Sequence, residues 1–389
     1  MPFSRRDILT MGCSAAAAPF LTPVTLAAAP WDQRLVVIIL RGAMDGLDVV
    51  RPLGDPHFAA ARRSLNNGVQ GHDLDGFFAL HPDLGGLMPL WRAGQLGFVQ
   101  AVSTPYRDKR SHFDGQDLLE AGTGFEGGTS TIRDGWLNRM LQTLPGITAE
   151  TAYAVGSGGM LLTSGAAPVA SWAPDADLDL SPQARDLMKQ VARGDPLFSG
   201  AVEGAIGIVE SLEAEAGAAG GQRGQKPHVA IARFAAGRLR AESRIATFSI
   251  NGWDTHNRQA AGMRQPLQAL SDSLLTLRDE LGPVWDRTAV VAMTEFGRTL
   301  RENGTGGTDH GTGGAMVLAG GAIRGGRVYG DWPGLDELDL YKGRDLMPTA
   351  DVRAYAAMAM RGLFGLPRDV LERVVFPGVE LAGVPEIIL

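Results

Sequence analysis

The sequence predicts an α/β protein whose mainly parallel sheet is covered by helices on both faces. Three observations carry this. Apolar runs rich in β-branched residues recur at 35–40, 97–102, 245–250, 288–293 and 315–319, and a run with no polar alternation reads as a strand buried on both sides. Helical patterns lie between several of these runs. Four of the runs end in polar loops, and in a parallel sheet such loops emerge at one edge, where ligands bind.

Each element has its own signal. The run 35–40, LVVIIL, feeds the glycine-punctuated turn RGAMDGLDVV. The strand at 97–102 leads through a polar turn to SHFDGQDLLEAG, a helix opened by Ser111. The strand at 245–250 ends in NGWDTHNRQ, and the next helix carries Leu267, Leu270, Leu274, Leu277 and Leu281 on one stripe. Gly282-Pro283 stops it. The strand at 288–293 opens the loop TEFGRTLRENGTGGTDHGTGG, and the strand at 315–319 follows at once. Thr349 is the expected cap of a last helix running to about Gly362, with Pro348 just before it. Residues 30–389 read as one domain. Within it, 123–225 hold few clear strands and many glycines and read as a cap or insertion, and 213–226 as a flexible linker.

Of the 389 residues, 44% are hydrophobic and 20% charged, enough for a substantial core and against wholesale disorder. A net charge of −7 argues against a nucleic-acid or anionic-membrane binder, while leaving room for a local site for a small anion.

The segment SRRDIL at 4–9 is a twin-arginine pattern, followed by an uncharged, weakly apolar stretch with alanines at 27–29. Residues 1–29 therefore read as a cleaved export signal. Pro19 and Pro23 argue against a spanning helix. The expectation is a chain exported folded by the twin-arginine translocase to the periplasm, with no stable membrane span after cleavage. The single cysteine, Cys13, lies in that signal, so the mature chain has no disulfide, cysteine nucleophile or zinc–cysteine site.

Four loops concentrate the chemistry. The first has Arg41, Asp45 and Asp48; the second Arg110, Ser111, His112 and Asp114; the third Asn251, Asp254 and His256; the fourth Glu295, Arg298, Asp309 and His310. Three of the seven histidines fall in these loops. Imidazole and carboxylate are metal-ligand types. Asp254 and His256, two apart, point the same way if extended. Arg298 either grips an anionic oxygen or pairs with Glu295 three residues earlier. His81, in LHPDLGGL, precedes a helix and suits a cap. Trp136, Trp253 and Trp332 read as packing residues. No dinucleotide glycine fingerprint follows a strand, which weighs against a redox cofactor.

The motifs LRGAMDGLD, RSHFDGQDLLEAG, NGWDTHNRQ and TEFGRT…DHG…VLAGG resemble the domain of unknown function 1501 family, grouped with the alkaline phosphatase-like fold. The resemblance implies a three-layer α/β/α sandwich with a site at the strand ends. It implies one divalent metal (zinc, manganese, calcium or magnesium) held from among Asp45, Asp254, His256, Glu295, Asp309 and His310. It places Ser111 where the superfamily has its nucleophile, with His112, Arg298 and Arg41 as further catalytic groups. The superfamily usually has Asp-His where this chain has Glu295-Phe296, and Phe296 cannot be a ligand, so a two-metal site is not expected. The function implied is metal-dependent hydrolysis of a phosphate or sulfate ester. The alternative is a non-catalytic periplasmic binding or assembly protein with a degenerate metal site, recognising an anionic ligand or an envelope partner.

Overall fold

The computed structural model describes residues 31–66, 71–124, 134–156, 159–172 and 226–389. The export signal, Cys13 and nearly all of the 213–226 linker lie outside the described residues. The elements that build the centre of the molecule are β1 (Arg34–Leu40), β2 (Leu96–Ser103), α1 (His112–Ala121), α2 (Trp136–Thr143), β3 (Ala152–Val155) and β4 (Ala170–Trp172). They continue with α3 (Pro227–Arg240), β5 (Ile245–Ile250), α4 (Arg264–Leu281), β6 (Thr288–Met293), β7 (Gly314–Ala319), β8 (Val328–Tyr329), β9 (Ala350–Asp351) and α5 (Val352–Phe364).

The strands form one sheet in the order β8-β2-β7-β6-β1-β5-β3-β4, with β9 also pairing with β2. β1 lies parallel to β5 and β6. β7 runs against both β6 and β2, so β2 points the same way as β1, β5 and β6. Among the described strands of this sheet β7 alone is reversed, because the 294–313 loop returns directly with no crossover helix. The four chemistry-bearing loops accordingly leave the sheet at one edge.

β1 shows why its sequence is uniformly apolar. Val36, Ile38 and Leu40 join one core with Leu267, Leu270, Leu274 and Leu277 of α4 and Phe234 and Leu239 of α3. Leu35, Val37 and Ile39 join a second core with Trp136, Leu137 and Met140 of α2 and Tyr355, Met358 and Met360 of α5. Successive side chains point to opposite faces, so both faces need apolar residues. The result is the expected three-layer α/β/α sandwich.

Within 123–225 the described parts join the core: β3 and β4 extend the sheet and α2 is buried beneath its second face; most of that segment, which reads as a cap or insertion, lies outside the described residues. AYAV and ASW are too short to announce themselves among glycines. The last helix is capped by Asp351, whose side chain accepts from Arg353 N, and it ends at Gly365 in the left-handed region. Thr349 instead donates to the Asp331 carbonyl at 2.8 Å.

Buried ion pairs fix the loop after β1. Asp45 caps the short helix Gly46–Val49 and pairs with Arg62 at 2.6 Å. Asp48 pairs with Arg51 at 2.7 Å. Gln259 donates to both carboxylates, at 2.6 and 3.0 Å, and accepts from Thr255 and Thr308. Burial pushes the Asp48 carboxyl up, but Arg51, His81, Arg62 and Gln259 together hold it below its ordinary value. The unfolded chain therefore binds this proton more readily. The stabilisation is complete above an ordinary carboxylate pKa of about 3.9 and is lost as pH falls through the lower folded value. Asp48→Asn should lower stability at neutral pH and flatten the acid limb of a urea-midpoint-against-pH curve; an acid limb as steep as wild type would contradict this.

Candidate metal centre

The turn after β1 brings the loops together. Gly42 (φ 115°) and Ala43 (φ 58°) are both left-handed, a conformation unfavourable for a residue with a side chain. A Cβ at Gly42 would stand 2.6 Å from Asp254 N, so the first and third loops touch there. The turn aims two carbonyls at the buried guanidinium of Arg298, which donates to Ala43 O (2.9 Å) and Gly42 O (2.8 Å). The same group donates to Thr308 O (3.1 Å), Trp253 O (3.1 Å) and Asp254 Oδ1 (2.6 Å). In the fourth loop, Arg298 and His310 face each other across an isolated antiparallel bridge. Gly297 permits that fold, because a Cβ there would meet Gly313 O at 1.8 Å.

Three imidazoles converge on Asp254. His310 places Nε2 3.3 Å from Asp254 Oδ1 and 2.9 Å from His256 Nε2. His256 Nε2 lies 3.1 Å from the same oxygen. His112, at the first turn of α1, places Nε2 3.4 Å from Asp254 Oδ2; that nitrogen is buried and has no hydrogen-bond partner. Ligand atoms of His112, Asp254 and His310 all lie within 4.8 Å of one another. Ligands about 2.0 Å from a tetrahedral ion stand roughly 3.3 Å apart; each imidazole lies 3.1–3.4 Å from an Asp254 oxygen, while the wider set spreads to within 4.8 Å.

Each ring is held from behind by an oxygen on Nδ1. Glu295 Oε1 lies 2.8 Å from His112 Nδ1, the Arg110 carbonyl 2.8 Å from His310 Nδ1, and Asp309 Oδ1 3.3 Å from His256 Nδ1. With Nδ1 as the donor, every Nε2 lone pair is turned inward, the tautomer a metal requires. The donor set and the orphaned His112 Nε2 fit one imidazole-rich divalent site. Phe296, 2% exposed, forms its floor, with ring centres 5.2 Å from His112 and 5.1 Å from His310.

The same contacts set the electrostatics. The Glu295 hydrogen bond raises the His112 pKa against the opposing effect of burial. Burial lowers His310. Burial would raise Glu295, but bonds from His112, Gln116 and Gly42 N keep its carboxyl low. Burial likewise opposes ionisation of Asp254, and the bond and charge of Arg298, with His112 and His256, outweigh it.

Several expected roles change. Asp45, 1% exposed, is spent on Arg62 and Gln259 rather than aimed at the centre. Glu295 and Asp309 hold histidines from behind instead of facing Asp254. His112, expected among the catalytic groups, is a donor of the cluster. Arg298 neither pairs with Glu295 nor faces an open site. Arg41 bonds Ser249 (3.0 Å), Gln116 (2.8 Å) and Glu120 (2.6 Å). Ser111 caps α1, its Oγ accepting from Asp114 N at 3.4 Å. His81 caps the 3-10 helix Pro82–Leu87. Trp136 and Trp253 are buried packing residues. Sequence reasoning missed the Arg110 carbonyl and Gln116, since main-chain acceptors and neutral amides carry no metal-ligand signature.

Arg298→Met would leave four carbonyls and Asp254 without their buried partner. It should cost about 3–5 kcal/mol in chemical denaturation; stability equal to wild type would show that the guanidinium is not what joins the loops.

Among described residues, no helix is long and apolar enough to cross a membrane. No curated protein matches the chain. Solved structures give remote likenesses. One is the lipoteichoic acid synthase LtaP from Listeria monocytogenes, at 7% identity and TM-score 0.35, over 71% of this chain and 59% of that one. The chain thus spans about three fifths of the synthase's length. Another is the alkaline phosphatase from the Antarctic bacterium TAB5, at 10% identity and TM-score 0.33, over 76% and 94%. A third is the C-terminal periplasmic domain of EcEptC from Escherichia coli in complex with Zn, at 9% identity and TM-score 0.34, over 76% and 74%. Residues 100–375 match the family described as "Protein of unknown function (DUF1501)". With more than half of its length inside that match, His112, Asp254, His256 and His310 included, the chain belongs to the DUF1501 family.

Proposed function

We propose that this chain is a metal-dependent hydrolase of phosphate or sulfate esters, exported folded to the periplasm by the twin-arginine route. The observation that carries the reading is the set of three imidazoles, each fixed at Nδ1 by an oxygen and turned at Nε2 toward Asp254. His112, Asp254, His256 and His310 would hold one divalent ion, and an imidazole-rich set favours zinc over magnesium or calcium. When bound, the ion supplies a Lewis acid that polarises the ester and lowers the pKa of an attacking hydroxyl or water.

The chain's own groups do the rest. Ser111 is the nucleophile in this reading: it precedes His112 directly, and its cap bond of 3.4 Å is long and readily given up. The N-terminus of α1, a ten-residue helix, favours the anionic oxygens of the transferred group. Glu295 keeps His112 oriented, and Phe296 excludes water from one side of the rings. The second reading, a non-catalytic binding or assembly protein, is favoured by one finding: Arg41 and Arg298 are both occupied internally and leave no guanidinium of the expected pair for the substrate.

Elemental analysis of the exported protein should find one divalent metal per chain, and His310→Ala should abolish hydrolysis of aryl phosphate and sulfate esters. Metal with no hydrolysis would select the second reading, and activity unchanged by His310→Ala would remove the centre from the reaction. Glu295→Gln should weaken metal affinity about 10–100-fold; unchanged affinity would deny it the positioning role. For export, replacing Arg5 and Arg6 by lysine should trap the protein in the cytoplasm, and normal periplasmic recovery would overturn the twin-arginine route.

A further inference from the structure

With Arg41 and Arg298 committed internally, two other arginines border the cluster. Arg110 lends its carbonyl to His310 Nδ1 at 2.8 Å, and its side chain is 39% exposed, with its guanidinium 3.8 Å from Asp345. Arg344 donates to the His310 carbonyl at 3.0 Å; its side chain is 34% exposed and lies 3.0 Å from the other oxygen of Asp345. Two guanidiniums share one buried carboxylate, so their charge is only half balanced there. Their loops are tied together a second time by Asp108, which accepts from Lys342 at 2.6 Å and Tyr341 at 3.2 Å.

The two segments, 107–110 and 341–345, hold five cations (Arg107, Lys109, Arg110, Lys342 and Arg344) against two carboxylates (Asp108 and Asp345), in a chain of net charge −7. Two more carboxylates approach this surface: Glu337, with one oxygen 3.9 Å from the Cβ position of Gly343 and the other 4.0 Å from Arg301, and Asp309, whose carboxyl the charge of Arg344 helps to hold low. A positive shelf beside a site on an acidic protein concentrates anions locally, and a guanidinium is the group best shaped to hold sulfate or phosphate oxygens.

We propose that Arg110 and Arg344 form a subsite for a second, non-reacting anionic group, so that the preferred substrate is an ester carrying at least two anionic groups. This deepens the hydrolase reading and rests on it for the word substrate. The shelf sits beside His310, on the side of its Nδ1 and main chain, whereas the cluster faces its Nε2. It therefore suits an anion some distance along the substrate rather than the group being transferred.

The test uses the metal-loaded full chain and two unreactive probes, butanedisulfonate and butanesulfonate, whose charges do not titrate and which are weak metal ligands. Calorimetry at low salt should show the disulfonate binding about tenfold more tightly, a difference of about 1.4 kcal/mol, and the preference should shrink as salt rises. In the double variant Arg110→Gln, Arg344→Gln the preference should fall to near unity. The double lysine variant, which keeps the charge and loses the fork, should retain part of it, and its near-wild-type thermal unfolding would separate the effect from misfolding. A preference that is absent in wild type, or that survives both glutamines, would overturn the subsite. Arginine-dependent preference without ester hydrolysis would keep the subsite and sink the hydrolase reading. Hydrolysis without such preference would do the reverse.

Discussion

The buried guanidinium of Arg298 is the constraint on which the strand-end architecture depends. The open edge of a parallel sheet leaves separate loops with no ladder to join them, and their carbonyls must still find donors away from water. One side chain meets that need for the first, third and fourth loops at once, through Gly42, Ala43, Trp253 and Thr308. Its planar, always-charged fork is suited to this, whereas an ammonium offers no comparable fixed geometry. The left-handed turn at Gly42-Ala43 is a local cost offset by the bonds it makes possible. Because the same guanidinium also holds Asp254, the fold of the loops and the placement of the central carboxylate are one problem with one solution.

Around Asp254 the arrangement repeats a single device. Each imidazole is fixed from behind by an oxygen, but the three oxygens differ in kind: a buried carboxylate at Glu295, a main-chain carbonyl at Arg110, an exposed carboxylate at Asp309. The rings therefore differ in electronic character. His112, against a fully buried anion, is shifted toward the basic side, while His310, behind a neutral carbonyl and more deeply desolvated, tends the other way. Phe296 lies beneath both and keeps their surroundings apolar on that side, which strengthens every charge interaction nearby.

Much of this was legible in the sequence. The apolar runs located the strands, and β5 and β6 begin and end where their patterns do, since a strand buried on both faces leaves no ambiguity about its extent. The stripe of leucines on α4 and the Ser111 cap of α1 were equally plain. The gathering of loop residues at one edge follows from strand direction, and that survives the reversal of β7 because β7 separates two strands that still point the same way. What the sequence could not show is partnership. Asp45 and Asp254 have the same side chain and similar positions just past a strand, yet one meets Arg62 in the interior and the other meets three imidazoles, and only the path of distant segments decides which. The partners of Arg298 escaped for a related reason: nothing along the chain beside a loop arginine names the distant carbonyls that surround it. The short strands β3 and β4 escaped because three or four residues of mixed character do not establish a period.

The distribution of the donors along the chain has a consequence for assembly. His112 comes from the start of α1, Asp254 and His256 from the turn after β5, and His310 from the return into β7, so no short stretch holds more than a pair of them. A peptide emerging in order presents its first imidazole long before its last. On the metal-centre reading, high-affinity capture of an ion would be open only to a chain whose sheet is already closed from β2 to β5, and occupancy of the centre would report that folding has finished. The cation would then be a late arrival that locks a completed architecture, rather than a seed around which the architecture grows.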